Sequence, residues 1–285
     1  MATTLGPRGE LAAVLAWSVQ PVAVALAAPA VPPLLQATLT ATLSLLVLWI
    51  WTRWRDIGVF AQDATLAPGM RLGLLFSLRM ALLYAAVARL GAAAAVECSI
   101  AVLWLVAALA SRVGGRRRLA VVALAGLALG LLARQRLGLG GLSLAALAAL
   151  AWAGQEWAAD DRRLQGCGGE KFVFYQLIGA AVTLPVASVV AGESWLIDPP
   201  SSAWWALLAQ IGACVLAFAL LWIAPPPARR RQRLRTLLAL APAVTLALQG
   251  LLGRAAPPAQ WGAAVLLLAA AGWPRRAQAL TRVSE

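Results

Sequence analysis

The sequence predicts an all-α integral membrane protein with ten transmembrane helices arranged as two inverted five-helix repeats. Three observations lead there. Of the 285 residues, 62% are hydrophobic and 12% charged, against about 45–50% and about 25% in a soluble domain. Mean hydropathy is +0.80. Apolar runs alternate with clusters of basic residues, and one short stretch recurs 135 residues further on. A water-soluble interior of this length cannot hide so much apolar surface, whereas a bilayer removes the need to.

A spanning helix needs about 20 apolar residues. The first, 11–29, follows Arg8 and ends before Pro32-Pro33. That proline pair opens 33–51, which stops at Arg53 and Arg55. Span 71–88 lies between Arg71 and Arg89, and Gly91 turns the chain into 92–111, which ends at Arg112. Span 119–133 follows Arg116–Arg118; it is short, so tilt or local thinning must accommodate it. Span 142–159 follows Gly140-Gly141 and ends in Asp160, Asp161, Arg162 and Arg163. Spans 172–191, 203–223, 236–252 and 259–274 follow Lys171, Pro199-Pro200, Arg235 and Pro257-Pro258. No cleaved leader is expected, because the first apolar run opens directly into the second.

Orientation follows the basic residues, which concentrate on cytoplasmic loops. With the N-terminus inside, 19 Lys and Arg fall on the cytoplasmic side and 4 outside, with Arg79 left within a span. Both termini are then cytoplasmic. The 191–202 loop, with Glu193, Trp195 and Asp198, falls outside. The net charge of +13 is therefore topological, and no nucleic-acid partner is expected.

Several chemistries are excluded. With no histidine, triads, HExxH zinc sites and histidine bases are absent. Cys98, Cys167 and Cys214 are far apart and form no CxxC pair, so neither a disulfide framework nor a zinc site is indicated. There is no GxxxxGK[ST] run for nucleotide phosphates. No cofactor and no enzymatic activity are expected.

Leu15-Ala16-Trp17-Ser18-Val19-Gln20 matches Leu150-Ala151-Trp152-Ala153-Gly154-Gln155, and Gly115-Arg116 matches Gly253-Arg254. The repeats are residues 1–137 and 138–285. Five spans per repeat reverse the second relative to the first, a recurring design of secondary transporters whose substrate site lies near the midplane.

These residues resemble the EamA branch of the drug/metabolite transporter superfamily, over nearly the whole chain. Each half opens on an aromatic-small pair, Ala16-Trp17-Ser18 and Ala151-Trp152-Ala153. The second helix begins Pro32-Pro33-Leu34-Leu35. The second half closes with Gly253-Arg254 through Gln260-Trp261-Gly262, then an apolar run to Gly272. In the first half Gly115-Arg116-Arg117-Arg118 leads an apolar run with Gly126 and Gly130. The glutamate common after the closing glycine is Arg116 or Arg254 here. A fourth-helix proline is replaced around Leu103-Trp104, while its counterpart Pro242 remains. An arginine often found in the second helix falls near Thr40.

The resemblance implies a multi-pass inner-membrane secondary transporter that exports a small polar or amphipathic metabolite by alternating access. Two alternatives stay open: a non-transporting scaffold or accessory subunit, and a lipid-carrier flippase. Its partners are the bilayer and a small-molecule substrate; monomer and homodimer both fit.

Ionisable residues inside a membrane are costly and mark function or pairing. Arg79, Glu97 and Glu156 qualify. Glu97 lies about 8 Å, and Arg79 about 13 Å, below the outer ends of neighbouring spans, so the arginine could reach the carboxylate. The pair is either a substrate and proton site, with Glu97 the proton-coupling candidate, or a structural ion pair. Glu156 is either an inner gate or a group reaching the interface beside Arg162 or Arg163. Gln20 and Gln155 are equivalent in the two repeats and need hydrogen-bond partners when buried. Trp17, Tyr84, Trp152 and Gln249 complete the cavity candidates, with Tyr175, Gln176 and Gln210 as further polar residues. Trp49, Trp51, Trp54, Trp195, Trp204, Trp205 and Trp273 fall at span ends, as interfacial anchors do.

Overall fold

The computed structural model describes residues 7–59, 63–110, 115–135, 137–164, 167–222 and 237–272. Among these, ten α-helices account for the fold, and no strand occurs. They are α1 (Pro7–Ala27), α2 (Pro33–Trp54), α3 (Leu66–Leu90), α4 (Ala92–Ala110) and α5 (Gly115–Ala133). The second half contributes α6 (Leu139–Ala159), α7 (Gly169–Val190), α8 (Ser201–Trp222), α9 (Ala241–Leu251) and α10 (Pro258–Gly272), with one 3₁₀ turn at Arg162–Leu164. Each overlaps a stretch predicted to be helical. The helix α9 is shorter than the expected 236–252. The Arg229–Arg235 cluster, Trp273 and the basic C-terminus lie outside the described residues.

Five helices, α2, α3, α4, α7 and α8, are long and apolar enough to cross a membrane, and α1, α5, α9 and α10 carry shorter apolar stretches. Their outer faces fit that setting. Leu46, Val47, Ile50, Leu74, Leu78, Val182, Val186 and Val189 are all exposed. A soluble protein rarely shows contiguous apolar surface on this scale, and here it is the surface a multi-pass membrane protein turns to lipid. Of the expected anchors, Trp49, Trp54, Trp195, Trp204 and Trp205 are exposed near helix ends. Trp157, near the end of α6, is 82% exposed. It falls on the outward face of α6, opposite Trp152 and Gln155.

Side-chain contacts fix the relative directions of the helices. Facing α3 and α7, Gly69 lies against Tyr175, Gly73 against Gly179, and the Ser77 and Thr183 hydroxyls hydrogen-bond. Both numbers rise together, so the helices are parallel. On α3 and α6, Leu90 meets Gly141 while Leu75 meets Gly154, so these run antiparallel. On α4 and α6, the Ser99 hydroxyl donates to the Ala145 carbonyl at 3.1 Å, and the Cys98 thiol to that of Leu142 at 3.8 Å. These two are parallel again. The α1 helix packs on α8, α3 on α6, α2 on α7, and α5 on α10.

The closest approach is at Gly73. A Cβ there would collide with the Tyr175 carbonyl oxygen and stand 3.1 Å from the Gly179 Cα; one on Gly179 would stand 2.6 Å from the Gly73 Cα. Small residues at four-residue spacing bring helix backbones into contact, the dominant attraction between helices where lipid is as apolar as a side chain.

Both ends of α7 are fastened. At one end the Lys171 Nζ donates to the Asp63 carboxylate at 2.6 Å, and the Thr65 and Tyr175 hydroxyls hydrogen-bond at 2.7 Å. At the other, Glu193 accepts from the Leu34 and Leu35 backbone N–H groups at 3.0 and 2.8 Å and from the Ser188 hydroxyl at 2.8 Å. The first-turn N–H groups of α2 have no intrahelical acceptor and carry partial positive charge. The following loop supplies the cap that the proline-led start of α2 lacks.

Lys171 and the Thr65 hydroxyl and N–H hold the Asp63 carboxyl at about 2, below its ordinary value. A folded value below the unfolded one, near about 3.9, means the contribution is complete above about pH 4 and fades as pH falls towards 2. Asp63→Asn is expected to lower the unfolding temperature at pH 7 by a few degrees. It should also flatten the acid decline seen in the wild type between about pH 4 and pH 2. Thermal unfolding followed by circular dichroism checks this; parallel curves for the two proteins would show that the bond contributes nothing.

Candidate functional site

Arg79 lies near the middle of α3, about 20 Å along the helix from Leu66 at 1.5 Å per residue. Its guanidinium stacks 3.9 Å from the Trp152 ring centroid, with Trp17 and Phe76 each at 5.9 Å. Trp17 and Trp152 touch at 5.2 Å with their planes tilted by 55°. These are the corresponding tryptophans of the two matched hexapeptides, one from α1 and one from α6. Aromatic faces attract a cation more strongly where water is excluded. Both rings are 8% exposed, and Arg79 is half-buried beside them.

Below the guanidinium runs a chain of amides. Arg79 Nη1 donates to Gln155 Oε1 at 3.1 Å, and Gln155 Nε2 donates to Gln176 Oε1 at 3.1 Å. An arginine only donates. It therefore fixes Gln155 with its oxygen towards α3, and that fixes Gln176 in turn. The chain ends on buried donors: Arg79 Nε and Gln176 Nε2 have no hydrogen-bond partner among the described residues.

A second buried polar network closes on itself. The Thr40 hydroxyl donates to Gln210 Oε1 at 3.2 Å, Gln210 Nε2 to Gln36 Oε1 at 2.8 Å, and Gln36 Nε2 to the Val31 carbonyl at 2.8 Å. It ties α2 to α8 and leaves no amide atom without a partner. Polar side chains between membrane helices commonly serve as such glue.

The remaining candidates divide. Gln20 donates to the Tyr84 hydroxyl at 2.9 Å, on the same face of α1 as Trp17 and one turn on. Arg79 does not pair with Glu97: among the described residues it has no carboxylate within 4 Å, and its polar partner is Gln155. The pairing was argued from depth along neighbouring helices, and the direction in which each side chain leaves its helix overrides depth. Glu97 is 0% exposed within α4, and neither oxygen has a hydrogen-bond partner among the described residues. Its neighbours Cys98 and Ser99 take up the α6 contacts. Glu156 is half-buried next to Gln155, and its charge acts on Arg79. Gln249 is half-buried in the last turn of α9, where its backbone carbonyl accepts from Leu252 and Arg254; it does not join the Arg79 group.

Sequence reasoning missed Gln36 and underweighted Gln176. Gln176 is separable from an ordinary polar residue by one signal only, its place amid the apolar run Val173–Ile178.

A shallow crevice of about 80 Å³ lies between α2, α7 and α8, lined by Ser44, Val47, Trp51, Val173, Leu177 and Phe218 among others. Phe218 meets Phe76 edge-on at 5.5 Å, and Phe76 in turn faces Arg79. One aromatic pair thus separates an apolar surface opening from the cation.

Among the described residues no group of three or more Cys, Asp or Glu side chains is placed to hold a metal ion. No family model and no curated protein matches the chain. A solved structure described only as "Crystal structure of protein" is similar to it with a TM-score of 0.64 and 22% identity, covering 93% of this chain and 95% of that one. At that identity the likeness concerns the fold.

Proposed function

We propose that the chain is a secondary active transporter of the EamA type, with ten spans in two inverted repeats, moving a small polar or amphipathic metabolite across the inner membrane by alternating access. The single observation that carries this reading is Arg79. It is a cation at mid-helix depth, held by Trp17 from the first half and by Trp152 and Gln155 from the second, with Gln176 behind Gln155. A charge there is expensive and marks a substrate or ion pathway. A purely structural scaffold has no use for it.

The helix packing supports the repeats. Exchanging the halves turns the α1–α8 contact into the α6–α3 contact and leaves α2–α7 and α5–α10 unchanged. The parallel pairing of α3 with α7, the third and seventh helices, fits an inverted second half. The basic residues support cytoplasmic termini, and export is the direction we assign.

Glu97 is the proton-coupling residue in this reading. A carboxyl buried without partners is costly as a structural element, and it is a group able to take up and release a proton. A second reading, a lipid-like substrate entering sideways, is favoured by the crevice between α2, α7 and α8.

The test uses the full chain in proteoliposomes, with phenylalanine, phenylpyruvate and undecaprenyl phosphate as trial solutes. Solute movement and internal pH are followed together. Saturable movement above protein-free vesicles is expected for at least one solute. Glu97→Gln should keep solute exchange and lose acceleration by a pH gradient, without loss of thermal stability. No movement of any of the three counts against transport, and an unchanged pH response in Glu97→Gln removes its coupling role.

A further inference from the structure

We propose that the Arg79 site takes an organic anion, its carboxylate or phosphate seated on the Nε–Nη2 edge of the guanidinium and its apolar body against Trp17 and Trp152. This rests on the reading of the same site as a substrate site and names the substrate's chemistry.

The argument is an inventory of donors and acceptors. Within the chain Arg79–Gln155–Gln176, the amide oxygens of both glutamines are occupied, and so is the Gln155 nitrogen. What remains is Arg79 Nε and Gln176 Nε2, both buried and without partners among the described residues. Both are donors, and one belongs to a cation. The deficit is of acceptors and of negative charge. A neutral amine or a cation would add donors where donors are already in surplus, and would meet the arginine's charge. An anion supplies both missing terms.

The geometry of the guanidinium sharpens this. Gln155 engages Nη1, on one side of the fork. Nε and Nη2 present their hydrogens in parallel along another edge, the edge that carboxylates and phosphates bind with two oxygens at once. Nε on that edge is buried and has no hydrogen-bond partner among the described residues. The closed Gln36–Gln210–Thr40 network shows the contrast: a structural polar cluster in this protein satisfies its own amides.

The body of the ligand is apolar. Trp17, Trp152 and Phe76 surround the cation, and Phe218 beyond them lines the crevice between α2, α7 and α8. Glu156 lies on the α6 side and offsets part of the arginine's charge.

The experiment measures equilibrium binding of radiolabelled benzoate to the purified full chain in phosphatidylcholine nanodiscs, with benzyl alcohol and benzylamine as competitors. Benzoate should bind at least about tenfold tighter than either competitor, as a paired and two-pronged contact requires. Arg79→Gln should abolish the preference. Arg79→Lys keeps the charge and loses the edge, and should weaken benzoate about tenfold. Equal binding of acid, alcohol and amine overturns the proposal, as does unchanged benzoate binding in Arg79→Gln. If Arg79→Gln fails to fold, the wild-type series and Arg79→Lys decide. Adding phosphatidylglycerol to the nanodiscs separates two sources of the anion: competition assigns the edge to a lipid phosphate, and its absence to a free acid. Binding is read without transport. Head-group preference without movement in vesicles thus overturns the transporter reading alone, and movement without preference overturns the anion alone.

Discussion

Replacing Gly73 by alanine is expected to destabilise the protein by about 1–3 kcal/mol, the range for overpacking a close-packed interior, and Gly73→Leu to prevent folding. The new Cβ meets backbone, the Tyr175 carbonyl and the Gly179 Cα. Neither can turn aside as a side-chain tip would, so α3 and α7 must separate. Separation strains the neighbouring Gly69–Tyr175 contact and the Ser77–Thr183 bond in the adjacent turns. Native stability totals only about 5–15 kcal/mol, which is why a side chain larger than methyl is expected to be lethal. Gly126→Ala is the control. It sits within α5 with no atom within 4 Å of an added Cβ, so the helix preference for alanine should leave stability unchanged or raise it by about 0.5–1 kcal/mol. Thermal unfolding in detergent, read by circular dichroism, compares them. Equal shifts for Gly73→Ala and Gly126→Ala would mean that the two backbones do not meet.

Truncating Trp152 to alanine should cost about 3–5 kcal/mol, as for buried tryptophans generally, and should abolish both benzoate binding and solute movement. The ring is 8% exposed, lies 3.9 Å from the Arg79 guanidinium and stacks on Trp17. Loss of packing alone would explain a failed alanine variant, so two milder changes separate packing from electrostatics. Trp152→Phe keeps an aromatic face and should bind benzoate within a few-fold of wild type. Trp152→Leu fills space without a negative ring face, so the arginine loses a partner worth roughly 0.5–2 kcal/mol. It should fold, with an unfolding temperature close to that of Trp152→Phe, and bind about tenfold more weakly. If the leucine and phenylalanine variants bind equally well, the ring serves only as filler.

The helices were legible because a bilayer imposes a simple rule on sequence: about 20 apolar residues, bounded by charge or by proline and glycine. Prolines 32 and 33, Gly91, and Pro199-Pro200 mark boundaries that the chain keeps. The matched hexapeptides also pointed to the right place, since Trp17, Trp152 and Gln155 all meet Arg79 there. What hydropathy cannot give is azimuth. Arg79 and Glu97 lie on adjacent helices at similar depth, yet the arginine turns to α6 and the carboxyl stays within α4 without a partner among the described residues. Gly69, Gly73 and Gly179 went unread for a related reason. Twenty-four glycines occur in the chain, and only a facing partner distinguishes one that admits a backbone from one that merely occupies a lipid-facing turn.

The seam along Gly69, Gly73 and Ser77 joins a helix of residues 1–137 to a helix of residues 138–285, with the Asp63–Lys171 bond clamping its end. The two rods meet backbone to backbone at Gly73 and Gly179, and side chains hold them on the turn to either side. The two halves read from the sequence are therefore joined along this seam rather than parted by it. In the alternating-access cycle proposed above, the centre would have to open elsewhere, with α3 and α7 as its common keel. On that proposal the mechanical division would run across the two halves read from the sequence rather than between them.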